Sequence, residues 1–331
     1  MQELNLKVEP YDESKKDLWN QSLLEVRQST FLFHRNFMDY HRDRFTDISL
    51  MVYDAHNRVI ALFPANVSRS NPRSVQSHGG LTYGGLLLTP QATAGIVNHL
   101  LSVIIEYYRL QGFDELLYKP IPHIYHTYPS DEDLYALFTH GAQIVSRSIS
   151  SVIELQHPLP FSKLRKRKVN KAHRYLQYSE IKNIDGVSPF WRLLADVLNK
   201  RHGTKPVHSL VELQYLVSAF PFQIRLFVAH HSECPSSTEH PLAGCLLFVT
   251  DRVVHVQYIA SSDEGCEVGA LDGLFDYLIR LVVQTYPHIS YFDFGISTEN
   301  EGRYLNEGLI FQKEGFGGRA VCYDTYLLKL H

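Results

Sequence analysis

The stretch Tyr291–Leu330, YFDFGISTENEGRYLNEGLIFQKEGFGGRAVCYDTYLLKL, decides how the rest of the chain is read. It opens on a short aromatic strand, Tyr291–Phe294, whose alternation sets Asp293 on the face opposite Phe292 and Phe294. Gly295 ends that strand. A polar loop follows, then a short helix predicted over Tyr304–Phe311 and a last strand over Ala320–Leu330. Gly315, Gly317 and Gly318 bracket Phe316, and glycines so dense call for positive φ or for a close approach of backbone to something else. A plain hairpin turn makes the same demand.

This stretch closes a pattern that occurs twice. In the second half, Gln223–His230, Leu242–Asp251 and Val253–Ala260 read as strands. A helix over Ala270–Gln284 follows, with Leu271, Leu274, Phe275, Leu278 and Val282 on one face. In the first half, Asp47–Tyr53, Val59–Asn66 and the glycine-punctuated SHGGLTYGGLLL region (Ser74–Leu88 in full) are three strand regions. They precede the amphipathic helix Ala94–Gln111, with Ile96, Leu100, Val103, Ile104 and Tyr107 on its apolar side. Each helix leads into a strand, a short helix and a long alternating strand, the first of these being Gln143–Leu155. Two copies of one α/β unit are the expected architecture, 1–155 and 156–331, each a mixed sheet flanked by helices.

Composition sets the outer limits. The 331 residues suit two ordinary domains, and 44% hydrophobic with 20% charged residues is the balance of a folded soluble protein. A net charge of −3 gives no global field to recruit polyanions. No apolar run reaches the ~18 residues that span a bilayer, and the polar N-terminal stretch does not resemble a signal peptide, so a cytoplasmic protein is expected. Cys234, Cys245, Cys266 and Cys322 show no paired spacing, which points to reduced, mostly buried thiols. His123, His126 and the His230–His231 pair lack a third ligand at a supporting spacing, so no metal is expected.

The local charge is different. Lys163–Arg174 carries seven Lys or Arg and no acid. Wound as a helix (162–176) it gathers Lys163, Lys166, Arg167, Lys171 and Arg174 on one side, with Phe161, Leu164, Val169, Ala172, Tyr175 and Leu176 on the other. Ser162 stands at its N-cap position. Such a face is either solvated surface or a grip on phosphates.

Three features carry a family resemblance: the Ser162, Lys163, Arg165, Lys171 and Ala172 run that opens the second copy, the YFDFG strand, and the ending GLIFQKEGFGG with Lys313, Phe316 and Gly317 in place. With the repeat order and the SHGGLTYGGLLL stretch they resemble the Fem-type (FemAB-like) aminoacyl transferases, tandem members of the GNAT acyltransferase superfamily. The resemblance implies transfer of an acyl group from a thioester or aminoacyl ester, that is acyl-CoA or aminoacyl-tRNA, to an amine of a cell-envelope precursor or amino sugar. It places the donor where Val253–Ala260 and Ile289–Phe294 splay apart, with its pyrophosphate on the loop before the next helix. That loop, SSDEGCEVGALDG, keeps Gly265, Gly269 and Ala270 but lacks the leading Arg or Gln. Asp263, Glu264 and Glu267 would oppose a pyrophosphate there, which favours tRNA over coenzyme A.

The chemistry needs a proton acceptor, an oriented amine and a stabilised oxyanion. Lys313 is the candidate cation, Asp293 or Glu299 the candidate base, and Tyr258 an orienting or acidic phenol. His78 and Tyr83, among glycines of the first copy, are candidates for acceptor binding, with Arg165 and Lys166 for its phosphates; Phe316 and Gly317 are carried over from the resemblance. His202 and His208 are further candidates. Plain structural roles compete at each position: a capping Asp, a core Tyr, a surface Lys. An acetyl-CoA-dependent N-acetyltransferase and a non-catalytic nucleotide-sugar- or RNA-binding module are the competing functions.

Overall fold

The computed structural model describes residues 5–232 and 237–330. In chain order the strands are β1 (Lys7–Pro10), β2 (Leu50–Tyr53), β3 (Val59–Phe63), β4 (Asn66–Val67), β5 (Ser74–Gln76), β6 (Leu87–Leu88), β7 (Glu115–Tyr118) and β8 (Gln143–Glu154). They continue as β9 (Leu176–Ile181), β10 (Ile224–His231), β11 (Ala243–Val249), β12 (Val253–Ser261), β13 (Tyr291–Ile296), β14 (Thr298–Glu299), β15 (Tyr304–Leu305) and β16 (Arg319–Lys329). The helices are α1 (Lys16–Ser22), α2 (Arg35–Met38), α3 (Ala94–Leu110), α4 (Glu132–Thr139) and α5 (Lys163–Ala172). After them come α6 (Val187–His202), α7 (Leu210–Ala219), α8 (Asp263–Val268), α9 (Ala270–Thr285) and α10 (Glu307–Glu314).

The chain forms two compact units: Met1–Ile149 with Thr298–Leu305 and Cys322–His331, and Ser150–Ser297 with Asn306–Val321. β8 and β16 each contribute residues to both. In the first unit β1-β2-β3-β6 make an antiparallel sheet, while β4, β5, β7 and the end of β16 follow one another in a mixed set. In the second unit the order is β8-β13-β12-β11-β10-β9.

The expected duplication is present in the element order. In both units a strand leads through a long helix to a parallel neighbour, β5 to β7 around α3 and β12 to β13 around α9. Each helix buries one stripe against its sheet. On α9 it is Leu274, Phe275, Leu278 and Val282, as the periodicity predicts. On α3 it is Val97, Leu100, Leu101, Ile104 and Tyr108, rotated from the expected face, with Ile96 and Tyr107 at its margin.

Three local expectations are corrected. Ser74–Leu88 is not one strand but β5 and β6 joined by turns, because His78, Gly80 and Gly85 all take positive φ. Tyr304–Leu305 pairs in a two-stranded ribbon, and the helix that follows runs Glu307–Glu314. The basic helix ends at Ala172, beyond which Leu176 opens β9 and Tyr175 is exposed. Of the cysteines, Cys245 is buried, Cys266 and Cys322 are exposed, and Cys234 lies outside the described residues. Among the described residues no helix is long and apolar enough to cross a membrane.

Candidate functional site

β12 and β13 pair for three rungs only: Val253 with Tyr291, Val254 with Phe292, and His255 with Asp293. Past that rung both strands run on unpaired with each other, to Ser261 and to Ile296. The cause is local. Against β11, two residues of β12, Val256 and Tyr258, stand opposite the adjacent pair Leu247 and Leu246, so Gln257 is an extra residue. Against β8, the steps Asp293 to Ile296 and Val152 to Ser150 differ by one residue in the same way, and Gly295 within that step has φ 76°. An extra residue bends its strand and ends pairing. The two bulges therefore open the sheet at one point, between the two strands where the family resemblance implies a splay.

The polar groups at this fork are unusually well buried. Asp293 is fully inaccessible and accepts hydrogen bonds from the Ser150 hydroxyl, from His255 Nδ1 at 2.9 Å and from the Gly295 N–H at 2.8 Å. Lys313, on the last turn of α10, is 5% exposed and donates from Nζ to the carbonyls of Gly295 and Ile296, each at 2.8 Å. Gly295 is thus held at its N–H by a carboxylate and at its C=O by an ammonium. Burial lowers Lys313 to about 8, against the opposing pull of Asp293. An ammonium has three N–H donors and two are used, which leaves one for a ligand.

A cavity of about 260 Å³ lies along the unpaired part of β12. Ile259, Ala260 and Ser261 form one wall, Gly265, Cys266 and Gly269 the floor, and Gln312 of α10 lies beside Lys313 in sequence. Gly265 and Gly269 both line the cavity, and both positions favour glycine. A Cβ on Gly265 would stand 2.2 Å from the Leu242 carbonyl oxygen, and Gly269 has φ 75° where α8 ends and α9 begins. Of the acids in this loop, Asp263, Glu264 and Glu267 do not line the cavity, whereas Asp272 does, paired with Arg165. Glu264 pairs with His231 and Asp263 points into solvent. Lys168, Arg165 and Arg201 line it as well, and the Arg201 guanidinium meets the Cys266 sulfur at 3.5 Å. The expectation that Asp263, Glu264 and Glu267 oppose a phosphate here is corrected: they lie off the lining, which carries Arg165, Lys168 and Arg201 against Asp272.

The remaining candidates fall in different places. Arg165 turns inward, 5% exposed, and pairs with buried Asp272, while Lys166 lies on the exposed face. Ser162 caps α5 as expected, accepting from the Arg165 N–H at 3.3 Å. Tyr258 hydrogen-bonds His208 Nδ1 at 2.5 Å, and burial pushes its phenol up to about 12. Glu299 is exposed in the β14–β15 ribbon, which belongs to the first unit. Phe316 presents no ring to a ligand: it is fully buried against Phe161, Phe275 and Phe294. Gly317 (φ 90°) lets the backbone pass Leu159. Tyr83 is core, packed on Phe33 and Tyr125. His78 lines a separate cavity of about 150 Å³ in the first unit with Arg35, Asp39 and Asp47, and burial holds it down to about 4. The side chain of His202 lies outside what the structure describes. Sequence reasoning missed His255, Arg201 and Lys168. His255 was within reach, since alternation in VVHV sets it opposite Val254 and Val256.

No family model matches this sequence, and no curated protein does. Solved structures do match in fold. FemX superposes with a TM-score of 0.67 at 11% identity, over 96% of this chain and 96% of that one. L-PGS from Bacillus licheniformis gives 0.60 at 15% identity, over 97% and 92%. A tandem GNAT protein from the clavulanic acid biosynthesis pathway gives 0.51 at 12% identity, over 99% of both chains. The chain therefore has the Fem-like, tandem GNAT fold.

Proposed function

We propose that this protein is an N-acyltransferase whose second unit moves an acyl or aminoacyl group from an ester or thioester donor to an amine. The observation that carries this reading is the fork between β12 and β13, with a buried ammonium at its apex and a cationic cavity along one arm. A donor whose acyl carbon enters the fork brings its phosphates to the cavity. There Lys168 and Arg201 line the walls, and the N-terminus of α9 adds its dipole. In the tetrahedral intermediate the carbonyl oxygen gains a full charge, and the third N–H of Lys313 is the donor that meets it. A lysine held by carbonyl dipoles is pre-oriented, so little reorganisation accompanies the reaction.

Lys163, Lys166, Arg167, Lys168, Lys171 and Arg174 are all exposed along and just beyond α5. That row extends past what one pyrophosphate needs, so aminoacyl-tRNA is the preferred donor, in keeping with the Fem-type resemblance, and an amine of a cell-envelope precursor or amino sugar the acceptor. Coenzyme A is the second reading, favoured by the cationic cavity itself.

The test uses both donors. Binding of tRNA should weaken about tenfold or more when Lys166, Arg167 and Lys171 are changed together to Ala, and the salt slope should fall by about 2 to 3. Acetyl-CoA should then give no thermal stabilisation. A shift of several degrees with acetyl-CoA and salt-insensitive tRNA binding selects coenzyme A. Absence of any amide product by mass spectrometry with both donors removes the transferase reading.

A further inference from the structure

We infer that His255 is the general base of this transfer, held for the task by Asp293 as its positioning residue. The inference rests on the transferase reading above and adds to it the group that takes the amine's proton.

The two residues form the last paired rung before the sheet opens, so the His255 ring stands at the apex of the fork where the acyl carbon would sit. Its Nδ1 is 2.9 Å from Asp293 Oδ2. Asp293 is fully buried and receives the Ser150 hydroxyl and the Gly295 N–H on its other oxygen. A carboxylate so placed accepts, and the imidazole therefore carries its proton on Nδ1 and leaves the Nε2 lone pair open. Nε2 has no protein partner among the described residues, and the side chain keeps 10% of its surface exposed. Asp293 itself is a poor base: its oxygens are engaged and no solvent reaches it. Lys313 joins this cluster through the Gly295 carbonyl.

The step balances as follows. The acceptor ammonium passes one proton to His255 Nε2 and its freed lone pair forms the C–N bond to the acyl carbon. The oxyanion sits against Lys313. Collapse breaks the C–O or C–S bond to the donor, the departing oxygen or sulfur takes the second proton of the attacking nitrogen, and the imidazolium returns its proton to water.

The experiment compares two acceptors at pH 7 with alanyl-tRNA and with acetyl-CoA as donors. Nα-acetyl-lysine carries a protonated amine and hydroxylamine a neutral one. His255→Ala and His255→Gln should each lose about 10²- to 10⁴-fold in kcat with Nα-acetyl-lysine, lose less than about threefold with hydroxylamine, and regain part of the loss when imidazole is added. Equal losses with both acceptors, without rescue, overturn the base while leaving the transferase reading intact. A wild-type chain that acylates neither acceptor overturns the transferase reading and the base with it. A readout independent of turnover is the ¹⁵N spectrum of His255. It should show the Nδ1–H tautomer in the wild type and lose it in Asp293→Asn; an Nε2–H tautomer in the wild type overturns the inference.

Discussion

Each unit buries a cation, and the two are held in opposite ways. Arg35 in the first unit is 2% exposed, donates to Asp39 at 2.6 Å and to Asp47, and lies 3.7 Å over the Tyr11 ring. Burial works against its charge, yet Asp47 and Asp39 outweigh it and its pKa is raised. Lys313 in the second unit has only carbonyl oxygens for partners, and Asp293 acts on it from beyond contact. Burial wins there. A cation matched by carboxylates is finished as a structural element. One held by dipoles alone keeps a donor and a nearly balanced proton, which is what a reacting centre needs.

The largest effect expected of this contrast is on rate. Lys313→Met should lower kcat about 10²- to 10³-fold while leaving the circular dichroism spectrum unchanged, whereas Arg35→Met should leave residual activity in the folded fraction. Arg35→Met should instead cost about 3 kcal/mol, read as a lower denaturant midpoint, because Asp39 and Asp47 lose the charge that offsets their partial burial. Equal stability losses for the two variants would erase the distinction.

Protonation sharpens it. With a folded pKa near 8 and an unfolded one near 10.5, the unfolded state binds more protons through that window. Wild-type stability should therefore rise relative to Lys313→Met between pH 8 and 10.5, on the order of 3 kcal/mol in total, and stay level below pH 8. Over the same range kcat should fall as the ammonium is lost, and Lys313→Arg should move that fall to higher pH. The smallest effect tests the cavity rather than the cation. Gly269→Ala should cost about 1 kcal/mol for its positive φ, and weaken donor binding a few-fold without changing kcat.

Much of the fold was legible because it rests on short-range pattern. Stripes three and four residues apart fixed α3 and α9, and alternation fixed the side of the sheet that Asp293 takes. The Ser162 cap followed from residue type alone. Legibility failed where one signal serves two ends. The glycines of SHGGLTYGG suit a strand interior or a turn, and only the φ angles of His78, Gly80 and Gly85 separate these. Lys313 was named for its place in a motif, and nothing in the sequence shows that its ammonium is buried against the Gly295 carbonyl. Phe316 shares that motif, yet its ring belongs to the core. Lys168 and Arg201 line one cavity from helices far apart in the chain, and spacing carries no trace of that.

The amino-acid sequence by itself determined α3, α9, the strands on either side of them, the repeated order and the cationic row on α5, since these follow from periodicity and residue type within a few turns of chain. Tertiary structure decided which strand ends share a unit, where the sheet opens, and which buried charge is left without a carboxylate in contact. Those depend on what packs against each residue from distant segments. A burial energy of several kcal/mol is set by those neighbours, not by the residues on either side.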